Sequence, residues 1–124
     1  MSLRHPLARV RGLGSAKEGT GHWVAQRITA VALMPLAVWF LVCAFGLGSY
    51  ADARAFLAQP LNAVLTAALV FCIFHHAQLG LQVVIEDYVH LRWLEIVLQV
   101  VVKFTAFLAG LASLLAIVRI VLGT

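Results

Sequence analysis

The sequence predicts an all-α membrane protein built from three transmembrane helices. Two observations carry that prediction. Of the 124 residues, 63% are hydrophobic and 11% are charged, against about 25% charged in an ordinary soluble domain. A soluble chain this short has too little interior to hide so much apolar surface, so lipid has to solvate much of it. The few charges are also gathered into short stretches that leave three long apolar runs between them. The length allows one domain, residues 1–124.

The first element is a basic tail, residues 1–26. Arg4, Arg9, Arg11 and Lys17, with Arg27 just beyond, stand against Glu18 alone. Such a segment suits anionic lipid or nucleic acid. The interleaved aromatic and basic residues of a nucleic-acid groove are absent, so membrane lipid is the expected neighbour and nucleic acid is not. The tail is not read as a cleavable signal, because no short apolar core with a small-residue cleavage site follows it.

The first span is predicted at about 27–48. No charge occurs for the 24 residues between Arg27 and Asp52, enough to cross a hydrocarbon core of roughly 30 Å at about 1.5 Å per residue. Pro35 lies in its first half, where it can kink the helix. Residues 49–61 are expected to form a loop, punctuated by Asp52 and Pro60. The second uncharged run, Ala55 to Ile85, is 31 residues long and exceeds one simple crossing. Gln59, Pro60 and Asn62 resemble a helix start, so the second span is predicted at about 62–88. Glu86, Asp87, His90, Arg92 and Glu95 form a polar connection, and the third span is predicted at about 95–121. Lys103 interrupts that span and reads as a snorkelling side chain. Arg119 reads as its far-side flank. Cys43 and Cys72 fall inside apolar runs, where thiols usually pack, and no disulfide is expected.

The Lys/Arg bias sets an expected topology. Five basic residues lie before or at the start of the first span and only Arg54 lies in the loop after it, which puts the N-terminus in the cytoplasm and the C-terminus in the periplasm. Trp23 and Trp93 then fall at cytoplasmic boundaries, where amphipathic rings are favoured.

Chemistry concentrates on the second span. Phe74-His75-His76-Ala77-Gln78 lies deep in an apolar run. Polar side chains inside a bilayer are costly and tend to face the protein interior or a cofactor. A histidine there can ligate a haem iron, or it can hydrogen-bond a neighbouring helix. Adjacent helical residues point roughly 100° apart, so His75 and His76 cannot both ligate one iron. His5, His22 and His90 all fall outside or at the edge of the predicted spans. A bis-histidine haem would therefore need a ligand from another subunit.

Gly80, one turn after His76, leaves room for a flat macrocycle or for close helix packing. Asp87 returns to within about 20° of the His76 direction, and Tyr88 lies about 18 Å along the axis. A phenol at that level can hydrogen-bond a quinone carbonyl, and a neighbouring carboxylate can relay protons. The other reading is a solvated loop with an interfacial tyrosine. Arg27 can pair with haem propionates or a quinone, or can face lipid phosphate.

In this order, these residues resemble the hydrophobic membrane anchors of succinate dehydrogenase, respiratory complex II. The core of the likeness runs from His76 to Val89: a histidine, Gly80 four residues on, and the pair Asp87-Tyr88 eleven and twelve residues on. Gln26-Arg27-Ile28-Thr29-Ala30 is similar to the family's Arg-x-Thr-Ala entry to the first helix. Gly12 to Gly19 is similar to the alphaproteobacterial version.

The resemblance implies a helical bundle completed by a cytochrome b subunit, together with an iron–sulfur subunit and a flavoprotein, in a bacterial inner membrane. His76 would be one axial ligand of haem b, with His75 as the alternative, and the cytochrome b subunit would supply the other. Tyr88 would hydrogen-bond ubiquinone, with Asp87 assisting, and Arg27 would lie near the propionates. The chain alone would not oxidise succinate. A fumarate reductase anchor is the alternative within the family. A small proton- or ion-conducting membrane protein is the alternative from another class, motivated by paired intramembrane histidines above a carboxylate cluster.

Overall fold

The computed structural model describes residues 19–123. The tail residues Arg4, Arg9, Arg11, Lys17 and Glu18, the early histidine His5, and most of the Gly12–Gly19 stretch lie outside the described residues. Four helices follow one another: α1 (Gly19–Phe45), α2 (Tyr50–Ala58), α3 (Pro60–Tyr88) and α4 (Arg92–Leu122). Helices α1, α3 and α4 are long and apolar enough to cross a membrane. Their 27, 29 and 31 residues correspond to about 40–46 Å at 1.5 Å per residue. Each therefore overhangs a hydrocarbon core of roughly 30 Å.

That overhang corrects the expected boundaries. The first span begins at Gly19, eight residues before Arg27. Charge marks where the apolar slab ends, but helical hydrogen bonding continues past it. Along α1 the Arg27 guanidinium lies 5.4 Å from the centre of the Trp23 ring, a cation–π contact between residues one turn apart. Helix α1 passes through Pro35 unbroken. It stops at Phe45, three residues short of expectation, where the amides of Gly46 and Leu47 turn back to the carbonyls of Cys43 and Ala44.

The expected 49–61 loop instead contains the nine-residue helix α2. Ser49 caps it. The Ser49 hydroxyl accepts from the Asp52 amide at 3.2 Å and donates to the Asp52 carboxylate at 2.8 Å. This satisfies an orphan donor and places an acid in the first turn. Helix α2 is tied to its neighbours by Trp39, whose ring centre lies 5.8 Å from that of Phe56. The Asn62 amide also donates to the Phe56 carbonyl at 3.1 Å.

Pro60 opens α3, where a missing amide proton costs nothing. The end of α3 at Tyr88 agrees with expectation. The polar 86–95 connection shrinks to Val89–Leu91, because Arg92 to Glu95 already form the first turn of α4. At its far end α4 is closed by Gly123, whose φ of 75° is the left-handed conformation that glycine adopts without a Cβ penalty.

Helix α3 is the centre of the bundle and packs on α1, α2 and α4. Among the described residues five apolar side chains are buried, and four of them, Ala63, Leu69, Leu79 and Ile85, belong to α3. Against α4, Gly110 faces the Phe74 ring. A Cβ there would lie 3.5 Å from that ring, an ordinary contact. Alanine therefore fits at this position and a branched side chain does not. Gly110→Leu is expected to destabilise the α3–α4 contact by about 1–3 kcal/mol, with Gly110→Ala close to wild type. The measurement is the melting temperature of the detergent-solubilised protein, and equal temperatures for both variants would refute this packing.

Candidate functional site

His76 lies half-buried midway along α3 and turns toward α1. Its Nδ1 is 3.0 Å from the Thr29 hydroxyl, and its Nε2 is 3.4 Å from the Gln26 amide nitrogen. Thr29 is itself buried. Its hydroxyl donates back to the Ala25 carbonyl at 2.8 Å, with the Gln26 carbonyl at 3.1 Å. One turn beyond His76, a Cβ on Gly80 would lie 3.5 Å from the same Gln26 nitrogen. The bare face of Gly80 is thus the seat of the Gln26 side chain, and α1 runs antiparallel to α3 along this contact.

The α1 side of the contact is a polar stripe. His22, Gln26 and Thr29 are spaced four and three residues apart, so they share one face. His22 Nε2 and Gln26 Oε1 are buried without a hydrogen-bond partner among the described residues. The charge pattern alone puts His22 outside or at the edge of the first span. The longer α1 brings it into the helix, below Gln26 on the face that meets α3. Gln26, Thr29 and His22 were not singled out from the sequence as site residues. Their spacing was the available signal, since three polar residues on one face of an apolar helix call for a partner.

Magnitude clarifies what the Thr29–His76 contact does. Interhelical hydrogen bonds in membranes contribute about 0.6 kcal/mol on average, too little to hold two helices together. An imidazole buried without partners costs more, roughly 1–3 kcal/mol. The contact therefore fixes the orientation of the ring, while apolar packing holds the helices.

His75 points elsewhere. Its ring stacks on Phe71, with 5.6 Å between centres and 17° between planes. It lines a groove of about 240 Å³ between α3 and α4, shared with Gln78, Phe74, Phe107 and Gly110. The two adjacent histidines thus serve different neighbours, as their roughly 100° separation requires.

Asp87 and Tyr88 form the last turn of α3 and are exposed, Tyr88 by 78%. They lie about 17 and 18 Å along the axis from His76. Beside them Glu86 accepts from Gln82 at 2.8 Å and from Gln99 of α4 at 3.4 Å, and Gln99 also reaches Glu95 at 3.4 Å. This amide–carboxylate lattice joins the ends of α3 and α4 and leaves Asp87 out. Arg27 is exposed over Trp23, about 100° around α1 from Gln26. The structure therefore brings His76 and Gly80 together with Gln26 and Thr29. It holds Asp87 and Tyr88 at the helix end and Arg27 on another face of α1.

Chemically, the arrangement offers one ligand rather than a metal centre. Among the described residues, no three His, Cys, Asp or Glu side chains come together. His76 offers one ring nitrogen held by a hydroxyl and a second that meets only an amide at the outer limit of hydrogen bonding. That donor set would suit a haem that takes one histidine nitrogen from this chain.

Comparison with known proteins agrees with this architecture. Residues 1–112 match the family model for the succinate dehydrogenase/fumarate reductase transmembrane subunit. The chain is 33% identical over 118 residues to the succinate dehydrogenase hydrophobic membrane anchor subunit of Rickettsia bellii, covering 93% of this chain and 94% of that one. It is 30% identical over 115 residues to the subunit of the same name from Rickettsia conorii, covering 90% of each. It is 37% identical over 86 residues to that of Paracoccus denitrificans, covering 67% of this chain and 66% of its relative. No solved structure matches. A helical membrane bundle matched along nearly all its length by anchor subunits, this chain belongs to the succinate dehydrogenase/fumarate reductase transmembrane subunit family.

Proposed function

We propose that this chain anchors a succinate:ubiquinone oxidoreductase in a bacterial inner membrane, where it contributes one axial ligand to haem b and one wall of the quinone-reduction site. The observation that carries the reading is His76, a half-buried ring at mid-helix with Nδ1 held by Thr29; among the described residues it belongs to no cluster of three or more His, Cys, Asp or Glu side chains. A single ligand is half of a bis-histidine haem site. The other half belongs to a cytochrome b subunit, and an iron–sulfur subunit and a flavoprotein complete the assembly. His76 holds the iron in this reading, and His75, in the α3–α4 groove, does not.

When bound, haem b supplies a one-electron carrier inside the membrane. The rest of the chemistry belongs to side chains. Ubiquinone becomes quinol by taking up two electrons and two protons. The electrons come from succinate as it is oxidised to fumarate on the soluble subunits. The Tyr88 phenol, exposed at the end of α3, donates a hydrogen bond to a quinone carbonyl. Asp87, beside it and outside the Glu86 lattice, passes protons from water to the reduced ring. Arg27, held over Trp23, supplies the positive charge that propionates or the quinone head call for. The N-terminus is cytoplasmic in this reading and the C-terminus periplasmic, which puts Asp87 and Tyr88 on the cytoplasmic side with the soluble subunits.

Two outcomes are expected of the purified complex. Reduced-minus-oxidised spectra should show a b-type haem, and His76→Ala should abolish its low-spin bis-histidine signature. An unchanged signature would move the ligand to another residue. Separately, Tyr88→Phe should lower the rate of ubiquinone reduction about 3- to 10-fold, the equivalent of one hydrogen bond of roughly 0.5–1.5 kcal/mol. Succinate oxidation by an artificial acceptor should stay at the wild-type rate. Equal quinone kinetics in the two proteins would remove Tyr88 from the site.

A further inference from the structure

We propose that Thr29 is a positioning residue for His76, acting as the acceptor that fixes the imidazole tautomer and leaves Nε2 as the ligating atom. The proposal rests on the reading of His76 as a haem ligand. The argument begins with a proton count. A threonine hydroxyl has one hydrogen and two lone pairs. Two carbonyls of α1 lie within reach of the Thr29 hydroxyl, Ala25 at 2.8 Å and Gln26 at 3.1 Å, and its hydrogen is assigned to the nearer. The contact to His76 Nδ1 at 3.0 Å is then made by a lone pair, so Nδ1 carries the proton and donates it. A neutral imidazole holds one such proton. Nε2 then carries a lone pair, and the group it faces is the Gln26 amide nitrogen, at 3.4 Å. An amide nitrogen donates, which agrees with an unprotonated Nε2.

The consequence is a relay from backbone to ligand: Nδ1–H of His76 donates to Thr29, and the Thr29 hydroxyl donates to the Ala25 carbonyl. Metal-ligating histidines generally place the other ring N–H on an oxygen acceptor, which fixes the ring and raises the basicity of the ligating nitrogen. Here that acceptor comes from the same chain but from a different helix. A more basic ligand favours the ferric over the ferrous state and so lowers the reduction potential. Thr29 is buried and occupies the α1–α3 contact.

The test uses the purified four-subunit complex with Thr29→Val, which removes the hydroxyl, and Thr29→Ser, which keeps it. Readouts are the haem midpoint potential, the low-spin electron paramagnetic resonance signal, and haem retention against apomyoglobin. Thr29→Val should raise the potential and weaken haem retention about 10- to 100-fold. Thr29→Ser should return both toward wild type. If Thr29→Val does not assemble, Thr29→Ala makes the same comparison with less bulk. Wild-type potential and retention in the hydroxyl-free variant, with the signature lost in His76→Ala, would overturn the relay and leave the ligand assignment standing. A wild-type signature in His76→Ala, or a wild-type complex without low-spin haem, would overturn both.

Discussion

An imidazole set in the middle of an apolar helix has to find hydrogen-bond partners, because hydrocarbon offers none. The contact between α1 and α3 is arranged around that requirement. Thr29 is buried there although it is polar, and its hydroxyl bonds both its own helix and the ring. Gln26 leans over Gly80 because a glycine leaves the space. Each of these side chains would be a poor choice for a lipid-facing position. Together they make one half-buried ring tolerable and hold it in one orientation.

The same requirement divides α3 lengthwise. One face meets α1 through His76 and Gly80. Another meets α4, where Phe74 lies on Gly110 and His75 stacks on Phe71 beside the groove. The end of the helix is different again. There the carboxylate of Glu86 is taken up by two glutamines, while Asp87 and Tyr88 stay exposed. A single helix thus carries an orienting contact, a packing contact and a reactive end, separated by angle and by distance along its axis.

Much of this was legible in the sequence. The three spans follow from long runs without charge, and the end of α3 follows from the acidic pair Glu86-Asp87. The shared register of His76 and Gly80 is readable from their spacing, and α1 meets both residues. What escaped reading has physical causes. Helix α2 was taken for a loop because Asp52 and Pro60 read as punctuation. Yet Ser49 followed three residues later by Asp52 is a capping pattern, and it starts a helix. His22 was set outside α1 because the last charge was taken as the helix end, whereas the helix continues where the slab stops. Thr29 was quoted only as part of a likeness. Its role depends on which α3 residue lies opposite, and that is a tertiary fact.

The distribution of burial across the helices has a consequence for how the chain can change. Most large apolar side chains of α1 and α4 are exposed on the isolated chain, and a position facing lipid needs only to stay apolar. Along α3 the buried side chains are hemmed in on two flanks. A substitution there must suit both neighbours at once. Tolerance to mutation is therefore uneven: the outer helices can drift in sequence while keeping their composition, and the central one has to keep its shapes.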